Sequence, residues 1–469
     1  MTSLRERVAI VFMTLSAVLT LVLGGAVVHE LGTKPSSTVV GAGAGGGSGL
    51  SAPGSGGAAP GGPGSSGAVG SASSGSSGGA AAASSGSTSP GGSSGVGTTA
   101  AGSLSGASVG VTNSAITVGG IYDETGPFDA TVERDTVRAY FDTVNAAGGV
   151  NGRKLQLLDC DSGYDPSRAH QCSQQLLGQN ILAMVGWLSV SGEEAETQYL
   201  SQQGVPVIGG LGVPTEFSSS ISWPVTDGLV TYGTAMGDHA KDLGIHAPGI
   251  VILNVNFIAP VEQSLVTSLH KNGIKEKSVD QVDATKPDYT DIALKLQSEG
   301  VDSVIAALDP FSYSRMLQAF DRQNFHPKLF GLGLDKPSAN QQYGSAVYNA
   351  QSLTPLLEPA DHMSQAGVAA YYGAVRKYFP NQVAALDVYS EGDWVAAEVF
   401  VDALRQIGTG AVTRQSLATA LNSLKNVDTQ GLTEPISYSA GNSHDPNRCF
   451  QWIQNKSGTW TTYSGWNCF

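Results

Sequence analysis

Between Lys34 and Asp123 the chain carries no charged residue, and from Pro35 to about Ser108 it is nearly all Gly, Ser and Ala, with some Pro and Thr. Such a segment has little apolar surface to bury and the largest backbone entropy to lose, so it is expected to remain unfolded. Of the 469 residues, that leaves 112–469 as the folded part, which is enough chain for two lobes with separate cores. A Gly/Ser-rich coil of about 75 residues spans on the order of 50 Å, so 35–111 reads as a linker or tether. Its Gly/Ala run at 41–47 matches G-x-G-x-x-G in form, but no strand precedes it and dinucleotide binding is not expected.

Ahead of the linker, Arg5 and Arg7 precede an uncharged apolar stretch from Val8 to Val28. That length crosses a hydrocarbon layer as a helix, and basic residues on its N-terminal side predict an exported remainder. Residues 1–34 therefore read as a membrane anchor that holds the rest at the extracytoplasmic face. The small residues Gly24, Gly25 and Ala26 make a cleaved signal, and a secreted protein, the alternative. No Cys lies in or near this stretch, which excludes a lipid-modified cysteine.

The formal charge is −14, from 25 basic and 39 acidic residues. No Lys/Arg cluster stands out, so nucleic acid is not an expected partner. The four cysteines form two sequence-local pairs, Cys160/Cys172 and Cys449/Cys468. Neither has the close spacing and nearby His of a metal site, so no metal is expected. Two disulfides in an oxidising compartment fit the spacing, with buried free thiols as the alternative.

From Ala115 strands and helices alternate. Ile116–Tyr122 reads as a buried strand, and Val137, Tyr140, Phe141 and Val144 line one face of a helix that stops at Gly148 and Gly149. Strands follow at Lys154–Asp159, Ile181–Val185 and Val205–Ile208. A second series opens at Gly249–Leu253 and runs through Ser303–Leu308 to Lys328–Gly331. Strands separated by helices of this length predict parallel sheets covered by helices. The region from about Ala366 to Leu424 reads as helical, and Pro435–Phe469, rich in aromatic and turn residues, as a hairpin-like return.

Asn145–Lys154 (NAAGGVNGRK), followed by a strand, Asp159 and Tyr164-Asp165-Pro166, closely resembles the branched-chain amino-acid-binding type of periplasmic solute-binding protein. Gly204–Ile208, the helix and strand over Asp291–Leu308, and Pro435–Ala440 ahead of Gly458-Thr459-Trp460 continue the match in family order. The resemblance implies an α/β fold of two doubly wound parallel-sheet lobes joined by three crossings, the type I periplasmic binding protein. Lobe one is then expected at 115–228 and 357–430, and lobe two at 229–356 and 431–469. It implies a small-molecule ligand (an amino acid, amide or small carboxylate) held between closing lobes, with an ABC permease as partner and no cofactor.

The family holds its ligand mainly from two loops of lobe one. The first gives Ser189, Ser191 and Gly192 as candidates, through hydroxyls or free N–H groups at a helix start, although serine there is also an ordinary N-cap. The second gives Leu211 and Gly212, where the chain departs from the family's usual Thr or Ser and leaves backbone groups alone. From lobe two the resemblance points to Phe257, which lacks the usual Tyr hydroxyl, and to Asp309 and Asp335 at strand ends. Tyr122, with Asp123 and Phe128, stands at the mouth of the first strand. The missing hydroxyls direct attention away from a plain branched-chain amino acid.

Catalysis is not expected. The chain has no H-E-x-x-H, G-x-S-x-G or P-loop, and Ser268–Lys271 meets S-x-x-K only inside a predicted amphipathic helix. The same clamp serves receptor ectodomains, so a membrane-tethered sensor acting through a partner protein is the alternative to uptake.

Overall fold

The computed structural model describes residues 102–127, 129–336, 342–441, 444 and 448–469. The expected anchor or signal at 1–34, the linker up to 101 and Phe128 lie outside them. Among the described residues no helix is long and apolar enough to cross a membrane.

The first sheet is wholly parallel, in the order β2-β1-β3-β4-β5. Its strands are β1 (Ala115–Tyr122), β2 (Lys154–Asp161), β3 (Met184–Val185), β4 (Val207–Ile208) and β5 (Ser222–Trp223). Between them run α1 (Thr131–Ala146), α2 (Pro166–Gly178), α3 (Glu193–Gln202) and the short α4 (Pro214–Ser218). The helix read from Val137, Tyr140, Phe141 and Val144 is α1, and all four side chains are buried. The expected strands at 181 and 205 shorten to two paired residues each.

The second sheet has the order β12-β11-β10-β9-β8-β6-β7, with β13 also paired to β11. Strands β6 (Pro248–Leu253), β7 (Ser278–Val282), β8 (Ser303–Ala307), β9 (Lys328–Leu332) and β10 (Gln351–Thr354) are parallel. The helices α5 (Leu229–Asp242), α6 (Ile258–Lys271), α7 (Thr290–Ser298) and α8 (Pro310–Arg322) pack on them. The expected return is the antiparallel hairpin β11 (Cys449–Lys456) and β12 (Thr459–Thr462), followed by β13 (Asn467–Cys468).

After β10 the chain goes back to the first sheet with α9 (Ala366–Tyr378), α10 (Val388–Ile407) and α11 (Arg414–Ser423). Asp387 caps α10 by accepting from Ser390 N at 2.9 Å. The run Val395–Val401, apart from Glu398, is fully buried, because this helix packs between α1 and the sheet. Tyr140 meets Trp394 edge-on at 4.7 Å between ring centres.

Two expected boundaries move. Residues 102–111, assigned to the linker, fold onto the first lobe: Gly102 N donates to Ser201 O at 2.8 Å, Thr117 N to Gly110 O at 2.8 Å, and Leu104 packs on the core. The last crossing, expected at 431, comes later, since Leu432, Ile436 and Tyr438 belong to the first core. Tyr438 there donates to Pro224 O at 2.7 Å and so braces the first crossing.

Both local cysteine pairs are disulfides. Cys160–Cys172 ties β2 to α2, and Cys449–Cys468 joins register partners of β11 and β13.

Arg414 anchors α11 from within. Its buried guanidinium donates to the carbonyls of Leu182 at 3.1 Å, Gly204 at 3.3 Å and Ile181 at 2.9 Å. Arg414→Ala strands three buried carbonyls, and about 3 kcal/mol of stability is expected to be lost. Urea unfolding should show a lower midpoint at an unchanged slope.

Candidate binding site

In parallel α/β sheets the space beyond the carboxyl ends of the strands is left for ligands. Here the carboxyl ends of both sheets face one cavity of about 90 Å³. The first lobe supplies Tyr164, Leu188, Val190 and Leu211, from the loops after β2, β3 and β4. The second supplies Leu253, Val255, Phe257, Leu308, Asp309, Leu332 and Gly333, from the last residues of β6 and β9 and the loops after β6, β8 and β9. Leu229 and Met236 of α5, Ile258 and Val261 of α6 and Tyr389 of α10 close it. The wall is mostly aliphatic. With each water-sized group needing about 10–15 Å³, the space takes an apolar body of roughly six to eight heavy atoms.

Of the sequence candidates, Leu211, Phe257 and Asp309 line this cavity. Asp309 has two roles: Oδ1 caps α8 by accepting from Ser312 N at 2.9 Å, while Oδ2 is buried with no hydrogen-bond partner. Burial raises its carboxyl above the ordinary range, and the bonds from Ser312 pull it back in part. On the other lobe's wall, the buried Tyr164 hydroxyl is also without a partner, and burial first, then the charge of Asp309, raises its pKa.

The other candidates do not line the cavity, and all but Ser189 have polar atoms engaged elsewhere. Tyr122 donates to Gly186 O at 2.6 Å, and Asp335 accepts from Ser352 Oγ at 2.8 Å. Ser191 Oγ donates to Tyr164 O at 3.0 Å. Ser189 Oγ is buried beside Gly192 without a hydrogen-bond partner, outside the cavity lining. Gly192 is the N-cap of α3, and Gly212 N donates to Glu216.

That last bond belongs to a pattern. Among the backbone N–H groups of the two loops, Ser189 N donates to Glu193 Oε2 at 3.3 Å and Val190 N to Asp123 Oδ2 at 2.8 Å, while Gly192 N, one of the two expected to face an anion, donates to Ser189 O at 3.1 Å. Leu211 N donates to Glu193 Oε1, Gly212 N to Glu216 Oε2 at 3.2 Å and Val213 N to Glu216 Oε1 at 3.3 Å. Three carboxyl groups of the protein thus take five backbone donors of the two loops. Gly210, at φ 132°, leaves room for them: a Cβ there would lie 2.6 Å from both Glu193 Oε1 and Glu216 Oε1. Burial and the facing Glu216 carboxylate push Glu193 well above its usual range, and burial holds Glu216 up at about 7. Two carboxyls held this close beneath the loops resist ionising together.

A buried ion cluster crosses the seam. Lys336, just after β9, donates to Glu133 Oε1 of α1 at 3.1 Å and to Asp387 at the start of α10. A second, smaller chamber of about 40 Å³ shares Leu188, Leu211, Leu229, Leu332 and Tyr389 with the main cavity. No group of three or more His, Cys, Asp or Glu able to hold a metal ion occurs among the described residues.

The sequence reading missed Glu193 and Glu216 as loop ties, although each lies in the first turn of a helix that follows a candidate loop. It used Tyr164 as a family marker without placing it in the site. Leu188, Leu229 and Tyr389 carried no signal beyond apolar patterning.

Known proteins agree with this architecture. Residues 115–459 match the family described as periplasmic binding protein. The Leu/Ile/Val-binding protein homolog 3 of Brucella melitensis is 24% identical over 216 residues, which cover 42% of this chain and 56% of that relative. The chain thus spans just over half the length of that relative. A fatty acid ABC transporter substrate-binding protein from Thermomonospora curvata superposes with a TM-score of 0.68 at 18% identity, over 77% of this chain and 94% of that one. An ABC transporter solute-binding protein from R. palustris, in complex with benzoate, gives 0.64 at 15% identity, over 74% and 95%.

The buried carboxyls predict an unusual pH profile. A carboxyl whose folded pKa lies above its unfolded value binds more protons in the folded state. Its contribution is complete below about pH 4.5 and is lost as pH rises through the folded value. Glu216 and Glu398 at about 7 and Glu358 at about 8 set the window between pH 5 and 8. Glu216 alone accounts for a loss on the order of 3 kcal/mol. Chemical denaturation across that range should show stability falling toward pH 8, and Glu193→Gln, which removes one of the paired carboxyls, should flatten the slope.

Proposed function

The chain belongs to the periplasmic binding protein family, and on that premise we propose that it is the extracytoplasmic solute-binding protein of an ABC uptake system whose cargo is a mainly apolar small molecule with a hydrogen-bond-donating head. The carrying observation is the occupation of the lobe-one loop amides by Asp123, Glu193 and Glu216. With acceptors of the protein already on those N–H groups, they are not open to the carboxylate of a free α-amino acid. What remains is an aliphatic cavity with two polar groups on opposite walls, the Tyr164 hydroxyl and Asp309 Oδ2. An alcohol, amine or amide N–H directed between them satisfies both.

The fold leaves the cargo open. The names of the similar proteins cover branched-chain amino acids, a fatty acid and benzoate, so the cavity lining decides. Burying apolar ligand surface at about 25 cal/mol per Å² supplies the affinity, and two unpartnered polar atoms supply orientation. Ligand bridging Tyr164 and Asp309 stabilises the closed arrangement, which is the state a permease reads. The tethered-sensor reading shares this mechanism. Residues 1–101, as anchor and tether, would hold the clamp at the outer face of the membrane in either case.

Thermal unfolding of the full chain against a panel tests the reading. The panel pairs medium-chain alcohols, amides, amines and acids with leucine, isoleucine and valine. A medium-chain ligand at about 100 times its Kd should raise stability by about 2.7 kcal/mol, visible as a shift of several degrees. Asp309→Asn should weaken amine binding about tenfold, the size of one charge-assisted hydrogen bond. A saturable shift with leucine and none with any medium-chain compound would overturn the proposal.

A further inference from the structure

The smaller chamber lies against the crossings between the lobes. Thr226 comes from the segment that joins β5 to α5, and Pro355 and Leu356 from the segment that leaves β10. Opposite them stand Trp187, from the loop after β3, and Asp393, from the second turn of α10. Both are more than nine-tenths buried. Trp187 Nε1 and Asp393 Oδ2 each lack a hydrogen-bond partner. An unmade buried hydrogen bond costs about 1–3 kcal/mol, so two at one small chamber call for an occupant.

We infer that this chamber is a second ligand subsite, which seats a neutral end group that both donates and accepts a hydrogen bond, a primary amide or a hydroxyl. The inference rests on the apolar main cavity of the proposed function. The apolar body lies there, and the neutral end group passes the shared wall of Leu188, Leu211, Leu229, Leu332 and Tyr389 to reach the crossings, while a second polar group at the other end of a longer ligand stands between Tyr164 and Asp309. A chamber of about 40 Å³ holds roughly three water-sized groups, the size of a carboxamide. An amide carbonyl accepts from Trp187 Nε1 while its N–H₂ donates to Asp393 Oδ2. A hydroxyl performs both roles with one oxygen. A carboxylate does not suit the chamber, because Glu133, Glu193 and Asp387 act on Asp393 from nearby, and burial already favours its neutral form. The ligand is then an elongated molecule that touches both crossings, and its length as well as its head group governs closure.

Calorimetric titration of the full-length protein with octanamide, octan-1-ol, octanoate and octylamine tests this. Octanamide and octan-1-ol should bind at least tenfold tighter than octanoate. Trp187→Phe and Asp393→Leu should each weaken octanamide about tenfold, while Asp393→Asn, which keeps a donor and an acceptor, restores most of it. Asp393→Leu should also unfold at higher urea, since a strained buried carboxyl is gone, so weaker binding cannot be ascribed to a failure to fold. Phe257→Ala should weaken all the probes that bind. If Phe257→Ala weakens them and the Trp187 and Asp393 variants do not, the chamber is only a water-filled void and the inference falls while the main cavity stands. If no probe binds, the apolar-cargo reading fails and takes the subsite with it.

Discussion

The loops beyond β3 and β4 are held in shape by carboxyl groups of the protein. Asp123, Glu193 and Glu216 accept from the backbone N–H groups of Ser189, Val190, Leu211, Gly212 and Val213. A loop whose amides point into a low-dielectric seam needs acceptors, and a ligand can supply them only while bound. Here the acceptors are covalently part of the chain, so the loops keep their shape whether or not ligand is present. The consequence is a first lobe that presents Leu188, Val190 and Leu211, with Tyr164, to the cleft. The mainly apolar character of the cavity follows from that exchange.

The seam between the lobes is unusually rich in carboxyls. Glu133, Asp387, Glu391, Asp393 and Asp335 are buried near it, Glu358 stands partly exposed beside them, and Lys336 lies among them. Packing them without compensation would be prohibitive; burial pushes Glu133, Glu391 and Asp393 toward the neutral form, and Lys336 pairs with Glu133 and Asp387. Because Lys336 comes from the second lobe and Glu133 and Asp387 from the first, that pairing favours the lobes in contact. The seam is therefore electrostatically primed, and ligand polar groups enter a region where each hydrogen bond is strong.

Periodicity made the framework legible. The stripe of α1, the Gly148-Gly149 stop, the strand at Lys154 and the two βα series all correspond to elements of the structure, because period-2 and period-3.6 burial is written locally. The family stretch at Asn145–Lys154 pointed to the same fold. Strands of two residues, such as β4 and β5, and the polar edge strand β7 were shortened or missed, since pairing with neighbours decides them. Residues 102–111 read as linker because they carry no charge, yet Leu104 and the backbone of Gly102 and Gly110 find partners on the first lobe. Composition reports what a segment can bury and not what is placed beside it.

The site shows the same division. Sequence placed Leu211, Phe257 and Asp309 at strand ends, where the chain must turn and where parallel sheets leave their cleft. It also paired the cysteines, because neighbours in the chain are neighbours in the fold. Spacing could not tell that Glu193 would meet Glu216, 23 positions on, nor that Trp187 and Asp393 would line one chamber from opposite ends of the chain. Those encounters depend on how the crossings set one sheet against the other and on which helix turn α10 buries. Local patterning determined the layers and the cleft. Only the tertiary arrangement decided which donors remain for a ligand, because a hydrogen bond between distant residues leaves no trace in either one's neighbourhood.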